Sequence, residues 1–422
     1  MITKNNMFYL FLFCLFLISA FIISYVIAPV NCDEIWSFGF SYNLTKGLMI
    51  YKDYNVLQTP LYFFIGKIFI LLFGKHMISI HIFNSIIMAL IGLLLFNKIK
   101  WHTIIIYLLL LVYNPSPYNL LCLFFLMIII TIIDKEDMEL FISLIIGLIF
   151  ITKQNIGIAL LPIIFLFKDK KRSLLMFLTP FLLLSIYLII NNAFLSFINQ
   201  SFLGMLDFNN SNKKVFSFWL VLELLSLIYL LYLLYKNKSK EVLFVLLFQI
   251  MNYPIVDPDH FIVSFVPVFY LICKNIKIKN FYYILYAFLI SLLLLGLPNQ
   301  IHIHLKNDLF LLRSPSEFVD VSKYTYDYFD GNLKNVYSDS EHMYFTKIYY
   351  DEPISEFDFL VSGNMGYKGS EKKFKKLKDY CSKNDCYFLL TDTNFYQTEE
   401  LRDFVKENYQ KIDEFSIFSV YH

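Results

Sequence analysis

Charge is what this sequence has least of. Only 17% of its 422 residues are charged, against 58% hydrophobic and 19% aromatic, and the formal net charge is +2. A soluble domain carries roughly 25% charged residues, so a single water-soluble core is excluded and a polytopic membrane protein is indicated. The near-neutral balance gives no footing for a nucleic-acid partner. Arginine is almost missing: Arg172, Arg313 and Arg402 are the only ones. The accompanying Lys, Asn, Ile, Phe and Tyr bias fits an AT-rich coding sequence, and no function is drawn from it. Cysteine is too sparse and scattered for a disulfide framework or a zinc site. Cys14, Cys122 and Cys273 sit in or at apolar runs as packing residues, whereas Cys381 and Cys386 share a polar tail segment and are either bridged or free thiols. The N-terminal apolar run has no small-residue cleavage site, so it reads as a retained span rather than a signal peptide. No internal repeat is found.

Apolar runs dominate what is there. Residues 8–30 form a first run long enough to cross a bilayer, after Lys4. The run at 60–73 is too short and carries Lys67, which suits an interfacial or re-entrant helix. Further runs follow at 77–96, 102–113, 117–133, 140–152, 156–167, 173–192, 215–235, 242–256, 261–273 and 281–298. Together they predict a polytopic α-helical protein of about 11 spans. The clusters Lys168, Lys170, Lys171, Arg172; Lys236, Lys238, Lys240; and Lys274, Lys277, Lys279 then all fall on one side. By the positive-inside rule that side is the cytoplasm, which puts the N-terminus inside and the chain after Pro298 outside. Residues 191–214 are read as an outer segment lying on the membrane, a lid.

After Pro298 the composition turns polar, so the expected domains are a transmembrane part, 1–298, and a small extracytoplasmic α/β domain, 299–422. Ser314-Pro315-Ser316-Glu317 is a capping box that predicts a helix to about Phe329. Strands are expected at 335–338, 357–361, 386–390 and 415–420, with helices at about 370–382 and 397–409 between the later ones. That alternation argues for a largely parallel sheet.

The stretch Asn31 to Leu61 gathers acids and aromatics in an otherwise apolar chain. Asp33 and Glu34 follow the first run directly, and ionisable groups at a bilayer edge are functional-site candidates. Then come Gly47, Tyr51, Asp53 and Thr59-Pro60-Leu61-Tyr62, and further on GLIFITKQNIGIALLP from Gly147 to Pro162. This order resembles the class C membrane glycosyltransferases, more specifically the branch of protein O-mannosyltransferases and lipid A aminoarabinose transferases, over roughly the first 170 residues. Many members carry a second Asp where this chain has Asn119.

The resemblance implies transfer of a sugar from a polyprenyl-phosphate donor to a glycan, lipid or protein acceptor at the outer face, with inversion. A hydroxyl acceptor needs a base within hydrogen-bond reach, the role given to Asp33. Glu34 points about 100° away on a helix and is assigned support. Asp53 either orients the acceptor or serves as a turn residue. The leaving lipid phosphate needs a cation, and Lys153, at the outer end of two short spans, is the candidate, against simple snorkelling. Tyr51, Tyr62, Asn119 and His260 are taken as substrate-binding positions, though Asp257-Pro258-Asp259-His260 reads first as a cap and turn. No cofactor is expected, and a divalent cation is allowed but not indicated. The alternative is a transporter or flippase of a lipid-linked or polar substrate, which usually shows internal repeats and charges at mid-membrane.

Overall fold

The computed structural model describes residues 4–23, 32–211, 217–253, 256–276, 278–301, 316–358, 360, 364–391 and 399–422. The chain divides into two compact units. One comprises Met1–Glu34, Ile78–Leu184 and Lys214–Ile303, and the other Ile35–Met77, Ser185–Lys213 and His304–His422.

The first unit is all helix. It begins with α1 (Lys4–Ile22), and the first turn of α2 (Cys32–Thr45) carries Asp33 and Glu34. Residues 24–30 of the expected first span lie outside the described residues. In the second unit, α3 (Leu61–Phe73) is the expected short helix. Back in the first unit, α4 (Met77–Ile99) and α5 (Thr103–Tyr113) are joined by a tight turn in which Lys100 takes φ +53°. Gly92 faces Tyr107 across this hairpin. Asn114, in the left-handed conformation, stops α5, and Pro117 starts α6 (Pro117–Ile132) from its first position, as the Asn-Pro-Ser-Pro sequence dictates.

A second tight hairpin follows. α7 (Glu139–Phe150) and α8 (Gln154–Leu160) are connected by Ile151-Thr152-Lys153, and α9 (Lys170–Ile190) packs alongside. Gly157 makes this possible, because a Cβ there would lie 2.3 Å from Phe150 Cα. The unit closes with α12 (Phe218–Asn237), α13 (Lys240–Phe248), α14 (Pro258–Asn275) and α15 (Lys279–Ile301), the intervening α10 (Phe194–Phe197) and α11 (Gly204–Ser211) belonging to the second unit. Among the described residues three helical runs are long and apolar enough to cross a membrane: Met77–Tyr113, broken at Lys100, Lys170–Ile190 and Phe218–Asn237. The other expected crossings fall on shorter helices, and two of them tighten into 3₁₀ turns at Leu161–Leu166 and Gln249–Asn252. Residues 156–167 and 242–256 are therefore not continuous α-helices.

In the second unit a four-stranded sheet, β1 (Val336–Ser338), β2 (Tyr387–Thr391), β3 (Lys411–Phe415) and β4 (Phe418–Tyr421), has the order β1-β2-β4-β3. Helices α16 (Ser316–Tyr328) and α17 (Glu341–Tyr349) cover one face and α18 (Gly369–Cys381) and α19 (Glu399–Asn408) the other. The strand alternation explains the two layers: Phe388 and Leu390 pack with Phe374, Leu377 and Val405, while Leu389 packs with Val321 and Met343. Only the β1–β2 pair is parallel; β2–β4 and β3–β4 are antiparallel, so the expected largely parallel sheet is in fact mixed. The run 415–420 is not one strand. It turns at Ser416, φ +50°, and makes the β3–β4 hairpin. The strand expected at 357–361 also fails among its described residues, because the Asp358 carboxylate accepts from Ser355 N–H and Oγ–H and draws the chain into a turn. Cys381 and Cys386 are joined in a disulfide.

Residues 35–77 are anchored within this same unit. Asn43 Nδ2 donates to the Ile354 carbonyl, Asn55 Nδ2 to that of Glu356, and Lys46 and Lys75 both pair with Asp351. The segment 191–211, expected as a lid, is instead pinned. Gln200 Nε2 donates to Tyr51 O and its Oε1 accepts from Val56 N–H, and Asp207 accepts from Lys368 N–H.

Candidate active site

The site in the first unit is assembled by two turns and two helix starts. At the start of α2, Asp33 Oδ2 accepts from Tyr118 Oη at 2.7 Å and from Ser116 Oγ. Ser116 occupies the N-cap position of α6 without capping it, so its hydroxyl is committed to Asp33. In the α7–α8 turn, Lys153 Nζ donates to Asn119 Oδ1 at 2.7 Å and lies 5.4 Å from the centre of the Tyr118 ring. Tyr118 thus stands between the acid and the ammonium, one group bonded to its hydroxyl and the other over its face.

Burial acts first on Lys153, pushing its pKa down, and the neighbouring Cys122, Asp33 and Asp257 oppose that effect. Asp257 enters the site by this route. It caps α14 by accepting from His260 N–H at 2.8 Å, and His260 Nδ1 lies 2.9 Å from both of its carboxylate oxygens. Burial raises the Asp257 pKa, but the His260 contacts and the Lys153 charge outweigh it and leave the carboxyl below its usual value.

The arrangement is a buried ammonium set among two carboxylates, an amide and a phenol. Chemically it can hold an anion at Lys153 while a carboxylate at Asp33 takes a proton nearby. Of the sequence candidates, Asp33, Asn119, Lys153 and His260 meet here. Glu34 does not point the same way: its carboxylate, 2% exposed, accepts from Asn84 Nδ2 and lies 3.1 Å from His81 Nδ1. Tyr51, Asp53 and Tyr62 belong to the second unit. There Tyr51, at φ +69°, donates to Gln58 O, Asp53 accepts from Met49 N–H across a turn, and Tyr62 is fully buried. Ser116, Tyr118 and Asp257 were missed as site residues. Only Asp257 left a signal, its pairing with His260 in the cap, whereas the other two are invisible without the α2–α6 approach.

A second polar cluster lies inside the same unit. Asn252 Nδ2 donates to Glu223 Oε2 at 2.5 Å and to Ser264 Oγ at 2.8 Å, with Gln249 bonded to Ser264 O. Among the described residues no three His, Cys, Asp or Glu side chains are grouped as a metal site would need.

No protein-family model matches the chain, and no curated protein matches it. It is similar to solved structures of the Archaeoglobus fulgidus oligosaccharyltransferase. One, in complex with zinc and sulfate, is 10% identical, covers 90% of this chain and 68% of that one, and superposes with a TM-score of 0.44. Another, the archaeal enzyme in complex with an inhibitory peptide and a dolichol-phosphate, is 11% identical over 92% and 70% of the two chains, with a TM-score of 0.46. At this identity and below a TM-score of 0.5 the likeness fixes neither the family nor the activity.

Proposed function

We propose that this chain is an integral membrane glycosyltransferase that moves a hexosyl or pentosyl unit from a polyprenyl-phosphate donor to a glycan, lipid or protein acceptor of the cell envelope. The observation that carries the reading is Lys153, a buried ammonium held by Asn119 beside Asp33 and Asp257 at one end of the helical unit. An isolated buried charge is costly, so a site that keeps one is suited to a ligand of opposite charge.

In the proposed step the acceptor oxygen attacks the anomeric carbon from the face opposite the phosphate. The new C–O bond forms as the bond to the phosphate oxygen breaks, and the configuration inverts. Asp33 takes the acceptor proton, and the lipid phosphate leaves with the bonding electron pair, its charge met by Lys153. Tyr118 and Ser116 hold Asp33 in place, and Asn119 holds Lys153. Glu34 supports the start of α2 through Asn84. In this reading about 11 spans place the N-terminus inside and residues 299–422 outside, where a Cys381–Cys386 disulfide would persist. The second unit, with Tyr51, Asp53 and Tyr62, presents the acceptor.

A transporter or flippase is the second reading, and the buried Glu223–Asn252–Ser264 network in α12 and α14 gives it a footing. The test is mass spectrometry of cell-surface glycans with and without the protein, joined to a vesicle assay. Substrate flux without covalent transfer would decide for the transporter.

A further inference from the structure

The end of the helical unit remote from Asp33 carries a basic cavity of about 440 Å³ lined by Lys98, Lys100, His102, Tyr270, Cys273 and Lys274. It lies where the α4–α5 turn meets the last turns of α14. Helix α14, 18 residues long, begins at the Asp257 cap, so about 27 Å separates the two ends.

The charges in this cavity are unequal in kind. Lys274 is already neutralised, since it pairs with Glu241 Oε2 at 2.6 Å while Tyr270 donates to Oε1. Among the described residues Lys98 and Lys100 have no such carboxylate partner, which leaves two ammonium groups facing the cavity. His102 is fixed beside them, bonded to Tyr286 and stacked on Tyr282 at 5.1 Å. Lys100 also holds a left-handed backbone, which Gly or Asn would adopt at less cost, so its side chain is kept there against the local preference. The surroundings are apolar and aromatic. Trp101 is 67% exposed, Ile104 and Tyr283 are exposed, and Trp101 packs edge-on against Phe96. Exposed Trp and Tyr beside lysines at a helix end mark the level of lipid headgroups.

We propose that this cavity binds the phosphate of an anionic phospholipid, with Lys98 and Lys100 on the phosphate, His102 and Tyr270 as polar walls, and the acyl chains running down the apolar surface beside Trp101. The proposal is independent of the transfer reaction. Basic pockets between membrane helices recognise anionic headgroups in this manner. A free phosphate would share the lysines but not the aromatic rim.

The full chain, purified in detergent, is titrated with phosphatidylglycerol, with phosphatidylcholine and with glycerol phosphate, and bound lipid is read by native mass spectrometry. Phosphatidylglycerol is expected to be retained over phosphatidylcholine, with glycerol phosphate failing to displace it at equal concentration. Lys98→Ala/Lys100→Ala should weaken it about 30-fold and Lys100→Gly about fivefold. Lys100→Gly relieves the backbone, so a loss of lipid there is not a loss of fold. Lys236→Ala/Lys238→Ala, outside the cavity, should retain the lipid. Equal retention of both lipids, equal displacement by glycerol phosphate, or unchanged binding in both cavity variants overturns the proposal.

Discussion

Replacing Asp33 by asparagine separates the chemistry of the site from its architecture. Both Tyr118 and Ser116 donate to one oxygen, Oδ2. An asparagine side chain of the same shape keeps a carbonyl oxygen in that place, so both hydrogen bonds survive and the start of α2 stays docked on α6. Each bond contributes only about 1 kcal/mol net, and weakening a charge-assisted acceptor to a neutral one costs a fraction of that. What the amide cannot do is take a proton. General-base catalysis contributes about 10²–10⁴-fold, so transfer should fall by that factor while thermal stability and donor affinity change little. The assay is transfer from a synthetic polyprenyl-phosphate sugar in proteoliposomes, with donor binding measured on the same preparation. Near-normal transfer by the Asp33→Asn protein, with a change at Asp53 or Asp257 abolishing it instead, would refute the assignment of the base.

Lys153→Ala should do the converse, raising the donor Kd by at least about tenfold, because a charged hydrogen-bond donor to phosphate is lost; unchanged donor binding would reduce Lys153 to a helix-turn residue. In the second unit Lys347 and Asp358 form an ion pair with both side chains 2% exposed. Lys347→Ala should destabilise by about 3–5 kcal/mol in thermal or denaturant melts, and Lys347→Met/Asp358→Leu should recover most of it, as removal of both charges usually does. Gly366→Ala should also lower the melting temperature, since the residue has φ +86° and a Cβ would lie 2.2 Å from Asn199 Nδ2. Burial holds His342 down at about 4, below its ordinary 6.5. The unfolded chain therefore takes up a proton first as pH falls, and this group costs little above about pH 7 but about 2 kcal/mol by about pH 5. A His342→Gln protein should lose that part of the pH dependence of its melting temperature, and an unaltered profile would contradict the burial argument.

The helices were legible in the sequence because apolar runs, prolines and basic clusters punctuate them locally. Pro117 and the Asn114 turn start α6 where the residues said it would start, and α16, α18 and α19 follow their amphipathic patterns. Sheet direction was not legible. The run 415–420 alternates well enough for one strand, and only Ser416 at positive φ, a residue with no strong left-handed preference, turns it into a hairpin. Polar anchoring was missed for the same reason: Asn43, Asn55 and Gln200 find backbone partners up to 311 residues away, and no local pattern carries that information. The candidate site shows both cases together. Asp33 and Lys153 stood out because a charge in an apolar chain must be accounted for wherever it sits. Tyr118 and Ser116, which determine where those charges point, are ordinary residues in a turn, and their role exists only because α2 and α6 begin beside one another. In a membrane chain the costly residues thus announce a site, while the inexpensive ones that orient it become visible only with the packing.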